Sequence, residues 1–162
     1  MFILNSFKLS ILINHSVSQT ELHGVLNQME KVEHIGIAVK DLSLSIPLFE
    51  KLLHTACYKT EIIEADKVTT AFFQTGDTKI ELVASPTQEG PIQKFLDQRG
   101  EGLHHIAFAV QDIETEMQRL RSEGFVLLDE KPRPGADNKM VCFLHPKSTG
   151  GVLVELCMER PK

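Results

Sequence analysis

His34-Ile35-Gly36-Ile37-Ala38-Val39-Lys40-Asp41 occurs again 71 residues on, as His105-Ile106-Ala107-Phe108-Ala109-Val110-Gln111-Asp112. A second pair follows at an offset of 74: Lys79-Ile80-Glu81-Leu82-Val83 and Leu153-Val154-Glu155-Leu156-Cys157. The chain therefore carries two copies of one unit, each with a His early and a Glu late. Two such copies predict a pseudo-symmetric fold that brings two imidazoles and two carboxylates to one point. That donor set suits a divalent metal.

Each His stretch alternates with period 2, which predicts a strand with two unlike faces. Ile35, Ile37 and Val39 form a bulky face for packing under helices. His34, Gly36 and Ala38 form the other, with space beside the imidazole. In the second copy Ile106, Phe108 and Val110 oppose His105, Ala107 and Ala109.

An Asp that can cap a helix follows each strand, Asp41 and Asp112. Leu42, Ile46, Phe49 and Leu53 then recur at helical spacing, as do Ile113, Met117 and Leu120. Pro47 lies inside the first pattern. It offers an alternative start there, with Ser43 or Ser45 as the cap. Strand-like stretches follow at 56–63, 68–75 and 78–84, with Gly76-Asp77 as a tight turn, and again at 125–128, 140–144 and 152–157. Each unit reads β-α-β-β-β. The expected class is α+β: two tandem modules, 29–84 and 103–162, forming a curved sheet around a metal-binding cleft. A linker at 85–102 holds a short helix near 92–98, bounded by Pro86, Pro91, Gly100 and Gly102.

Residues 1–28 differ from the rest. Met1–Ile13 is apolar but broken by Asn5, Ser6, Lys8 and Ser10, too short for a membrane span and without a signal-peptide pattern. The functional domain is expected to begin at Met29, with 1–28 a dispensable extension. The alternative is a short helix packed on the domain or on a second subunit.

The 162 residues are 42% hydrophobic and 24% charged, ordinary for one globular domain with its own core. A net charge of −5 argues against a nucleic-acid surface, and no segment calls for a membrane. Cys57, Cys142 and Cys157 are odd in number, widely spaced and without a C-x-x-C, so a reduced, cytoplasmic protein is expected.

A lone His in a strand, or a lone Glu such as Glu81 between apolar neighbours, is usually structural or solvated. His34, Glu81, His105 and Glu155 together are another matter, because they occupy matched positions of a repeat. Two nitrogens and two carboxylate oxygens suit Zn²⁺, Co²⁺, Mn²⁺, Ni²⁺ or Fe²⁺. Six-coordinate geometry would leave two positions open. His104 precedes His105 and by strict alternation faces the opposite side of its strand, as a packed or hydrogen-bonded structural residue. His15, His23 and His54 read as surface groups, and His145, at a strand end, as a residue of the site rim or of a loop.

The tandem plan with His…Glu…His…Glu resembles the vicinal oxygen chelate superfamily (glyoxalase, bleomycin resistance, dioxygenase). Within it, 32–39, Gly102-Leu103-His104-His105-Ile106-Ala107-Phe108 and the block from His145-Pro146-Lys147 to Gly150-Gly151-Val152-Leu153-Val154-Glu155-Leu156 resemble the methylmalonyl-CoA epimerase family, as does the linker Pro91-Ile92-Gln93-Lys94-Phe95-Leu96. The resemblance implies a metal at His34, Glu81, His105 and Glu155. It also implies inversion at the carbon between thioester and carboxylate of an acyl-CoA substrate, and a homodimer. Inversion needs a base on each face of a planar enolate; Glu155 is the first candidate and Glu81 the second. Some bacterial members place a further Glu where this chain has Thr70, which cannot act as a base. Lys147 and Arg133 are candidate phosphate partners. The rivals are a glyoxalase I-type lyase, an extradiol dioxygenase-type site and a non-catalytic small-molecule-binding member.

Overall fold

A computed structural model of the protein describes residues 29–160. The expected extension, 1–28, lies outside the described residues.

The elements follow the order β1 (Lys31–Ala38), α1 (Leu42–Leu53), β2 (Lys59–Ile63), β3 (Val68–Thr75), β4 (Thr78–Ala84), α2 (Gly90–Arg99), β5 (Gly102–Ala109), α3 (Ile113–Ser122), β6 (Arg133–Pro134), β7 (Lys139–Leu144) and β8 (Leu153–Glu159). All eight strands join one curved sheet in the order β2-β3-β4-β1-β5-β8-β7-β6. The order reads the same from either edge inward. β1 and β5 meet antiparallel at the centre, and each is flanked by a parallel strand of its own half, β4 or β8.

Alternation assigns the faces. Leu82 and Ala84 of β4, with Ala71 and Phe73 of β3, pack under Leu42, Ile46, Phe49 and Leu53 of α1. Cys142, Leu144 and Leu156 pack under Ile113, Met117 and Leu120 of α3. Glu81 and Val83 project the other way, into the concave face. Helix α2 lies across one end of that face, with Ile92 and Leu96 against Ala38, Val68 and Val83.

Asp41 caps α1 by accepting from the Ser43 amide at 2.7 Å, and Asp112 caps α3 from the Thr115 amide at 3.0 Å. Pro47 therefore sits inside α1 and is not its first turn. The strand expected at 125–128 does not form: Leu127 makes an isolated bridge to Leu144, and the edge of the second half is the two-residue β6. Pro132 and Pro134 have no N–H to extend a ladder there. Among the described residues no helix is long and apolar enough to cross a membrane.

The central register sets the site. His34 pairs with Ala107, and His105 with Gly36. Each imidazole thus lies over the small residue of the other copy. A Cβ on Gly36 would fall 2.0 Å from His105 Cε1. Gly36→Ala is therefore expected to displace the buried His105 ring and to cost about 1–3 kcal/mol in urea unfolding, as overpacking does. An unchanged midpoint would show that the ring has room to move.

Candidate metal centre and cavity

The parallel pairings place the carboxylates. Glu81 lies beside Gly36, and Glu155 beside Ala107. Four strands, two from each half, thus bring His34, Glu81, His105 and Glu155 together. All four are 5% exposed, so none is a solvated surface group. His34 Nε2 and His105 Nε2 are 2.9 Å apart. Glu81 Oε2 is 3.3 Å from each of these nitrogens, and Glu155 Oε2 lies 3.5 and 3.2 Å from them.

These spacings fit a cation. Donors about 2.1 Å from a metal lie about 3.0 Å apart at adjacent octahedral corners and about 3.4 Å apart in a tetrahedron. Proton bookkeeping agrees. The Nδ1 of His34 is 2.6 Å from Glu33 Oε2, and an ionised carboxylate only accepts, so Nδ1 carries the hydrogen. Neutral His34 then aims a bare Nε2 lone pair at a nitrogen and two carboxylate oxygens. Such a convergence of acceptors needs positive charge at its centre. It is the arrangement in which a second carboxylate fixes the tautomer of a ligand imidazole.

On the other side, His105 Nδ1 is 2.9 Å from His104 Nδ1. Burial and the His105 charge lower His104 to about 4, so it stays neutral and can accept from His105 Nδ1–H. That hydrogen bond frees His105 Nε2 to face the cluster. His104 therefore does not turn to the far side of its strand: it lines the cavity and packs edge-on against Phe95, ring centroids 4.9 Å apart. The cause is a pair of register shifts. The β1–β5 ladder skips Glu33 on one strand and His104 on the other. A bulge leaves the extra residue unpaired and re-aims its side chain. Both residues that precede a cluster histidine are turned in this way to reach its Nδ1.

Sequence reasoning assigned no role to Glu33 or to the cations behind it. Glu33 Oε1 is 2.5 Å from Lys79 Nζ and 3.3 Å from Lys139 Nζ. Lys79 also reaches Asp137 of the other half at 2.7 Å. Burial opposes the Glu33 charge, but His34 and Lys79 hold its carboxyl far below the usual range. The signal was present: the repeat aligns Glu33 with His104. Strict alternation pointed both away.

The cluster forms the floor of a cavity of about 240 Å³, with walls that include Ile63, Val68, Phe72, Val83, Ile92 and Phe143. Asp66 and Arg133, from opposite halves, also line it and pair at 2.7 Å. Arg133 thus sits where an anion could reach it. Lys147 is in a short turn, Pro146–Ser148, outside the cavity lining, and His145 caps that turn by accepting from the Lys147 amide at 3.0 Å.

The Glyoxalase/Bleomycin resistance protein/Dioxygenase superfamily matches residues 33–143, and the chain belongs to that superfamily. It is 41% identical, over 80% of its length and 92% of the relative's, to the uncharacterized protein YqjC of Bacillus subtilis (strain 168). Within the superfamily it falls in the family of the methylmalonyl-CoA epimerases. It is 37% identical to the mitochondrial methylmalonyl-CoA epimerase of Dictyostelium discoideum, over 78% of this chain and 76% of that one. Among solved structures, a Streptomyces coelicolor methylmalonyl-CoA epimerase variant in complex with 2-nitronate-propionyl-CoA superposes with a TM-score of 0.78 at 30% identity, over 83% of this chain and all of that one. The family resemblance and the curved two-module α+β sheet expected from the sequence are both borne out.

Burial alone would lower the His34 imidazole, but Glu155, with Glu33 and Glu81, raises it from 6.5 to about 10. Chelator-stripped protein should therefore keep His34 protonated at neutral pH. Because the folded value lies above the ordinary one, this charge stabilises the stripped fold fully below about pH 6.5, and the contribution is lost as pH rises through about 10. Imidazole ¹⁵N shifts followed against pH should place the His34 midpoint far above the ordinary range, and Glu33→Gln should lower it. A midpoint near 6.5 in the parent protein would contradict the geometry.

Proposed function

We propose that the chain interconverts the two epimers of methylmalonyl-CoA, with His34, Glu81, His105 and Glu155 holding a divalent metal and Glu81 and Glu155 moving the proton. The observation that carries this reading is the convergence of those four buried side chains at the floor of a largely apolar cavity. The kinship with the epimerases supplies the substrate.

The reaction breaks one C–H bond at the carbon between thioester and carboxylate and remakes it on the opposite face. Nothing is consumed, so no second substrate is needed. The metal, when bound, supplies Lewis-acid stabilisation of the charge that develops on the thioester oxygen. Co²⁺, Zn²⁺, Mn²⁺ and Ni²⁺ all suit two imidazoles and two carboxylates, with Co²⁺ the first to try.

The chain's own part is to place two carboxylates where the α-carbon enters and to hold one of them, Glu155, ionised. Burial disfavours a charged Glu155, but His34 and His105 outweigh it and lower its carboxyl to about 2. A carboxylate so held is a weak base. Glu155 takes the proton only as it parts from the two imidazoles, and Glu81, its counterpart in the repeat, serves the other face. The apolar walls exclude water that would otherwise compete for the proton. Glu33 and His104 keep both imidazoles in the tautomer that faces the cluster.

The proposal includes a coenzyme A thioester as ligand, a homodimer and a cytoplasmic setting. The thiols of Cys57, Cys142 and Cys157 are unpaired, in keeping with a reducing compartment. Leu44, Leu48 and Leu52 form an exposed stripe on α1, 61–73% exposed, that a second copy would cover.

The test is deuterium incorporation at the substrate α-carbon in D₂O. Protein supplied with Co²⁺ should exchange the proton and interconvert the epimers. Chelator treatment should abolish both, and added Co²⁺ should restore them. Glu155→Gln should lower kcat by about 10²-fold or more with metal retained. Metal-loaded parent protein that leaves the α-proton in place would overturn the proposal. Unchanged turnover in Glu81→Gln would remove Glu81 from the proton path.

A further inference from the structure

Thr70 carries an unmatched donor. Its hydroxyl is the one buried side-chain polar atom among the described residues without a hydrogen-bond partner. The residue is 2% exposed. It lies on β3, on the face that lines the cavity, between Val68 and Phe72 and opposite Val83 of β4. Phe72 pairs with Glu81, so Thr70 sits one step along the ladder from a cluster carboxylate. The acidic residue opposite it on β2, Glu61, is engaged by Lys59 Nζ at 2.7 Å and the Asp137 amide at 2.9 Å.

A buried hydroxyl with no partner destabilises a fold, and valine has the same shape without that cost. A threonine kept among Val68, Phe72 and Val83 has its use in what enters the cavity. On the function proposed above, the ligand is an acyl thioester with a carboxylate on the α-carbon. It brings three oxygens to the site. Were a cation held by His34, Glu81, His105 and Glu155 to take the thioester oxygen and one carboxylate oxygen, the second carboxylate oxygen would be left over. That oxygen is charged, and burial would be costly without a donor.

We propose that Thr70 donates a hydrogen bond to this carboxylate oxygen and so orients the α-carbon against Glu81. The inference rests on the epimerase reading for the identity of the ligand. Thr70 is a positioning residue and takes no proton from carbon. Its hydroxyl also makes the cavity distinguish 2-carboxyacyl thioesters from simple acyl thioesters.

The test uses the full chain loaded with Co²⁺, as parent, Thr70→Val and Thr70→Ser. Binding of methylmalonyl-CoA (as the epimer mixture) and of propionyl-CoA, which lacks the carboxylate, is measured by calorimetry beside turnover and thermal unfolding. Thr70→Val should weaken methylmalonyl-CoA binding roughly 10- to 100-fold, the range for a lost hydrogen bond to a buried charge. It should leave propionyl-CoA binding unchanged and keep or raise the Tm. Thr70→Ser should stay within about threefold of the parent, since it retains the donor. Equal losses for both thioesters, no loss for either, or a lowered Tm with no rescue by serine would overturn the assignment. If the parent binds methylmalonyl-CoA in a Thr70-dependent way yet never exchanges its α-proton, the epimerase reading fails and the Thr70 contact stands.

Discussion

The register of β1 against β5 is the constraint on which the rest depends. Antiparallel pairing of the two repeat strands sets His34 over Ala107 and His105 over Gly36. A one-residue slip of either strand would send its imidazole to the helix-covered face, away from the other. The small residues read at first as space beside each strand's own histidine. They are space for the histidine of the other copy, and the 2.0 Å approach to a Cβ at Gly36 measures how fully it is used. Because β4 and β8 run parallel beside these strands, fixing the central register also fixes Glu81 and Glu155.

Buried charge is the second theme. Glu33, Glu81 and Glu155 are all buried near one point, and each must be compensated. Glu33 is served by His34, Lys79 and Lys139, and Lys79 passes the chain of charges to Asp137 in the other half. Glu81 and Glu155 face the two imidazoles, and there the compensation is left to a proton or a cation. The network that orients the site therefore also ties the two halves together. Tyr58 and Lys59 add to that tie through the same Asp137.

Much of this was legible because repeats and periodicity are local properties of the chain. The His and Glu positions, both helix stripes, the caps at Asp41 and Asp112 and the turn at Gly76 all follow from spacing. The second half was harder to read at its edge, where 125–128 has strand-like residues but lies ahead of Pro132 and Pro134, and the ladder shrinks to two residues. His104 was misplaced, and Glu33 passed over, for a different reason. Alternation holds only while pairing is continuous, and each of these residues is the one the partner strand skips.

The sequence by itself determined that two like modules exist and that each supplies one imidazole and one carboxylate from two of its strands. Those facts rest on period 2 and on identity between copies, which need no knowledge of partners. Only the tertiary structure decided that each carboxylate comes within 3.5 Å of both imidazoles, that bulges turn Glu33 and His104 toward them, and that Thr70 is left with an unused hydroxyl. These depend on which strands become neighbours and where their pairing breaks. They are relations between residues far apart in the chain, settled by how the two curved halves close on one another.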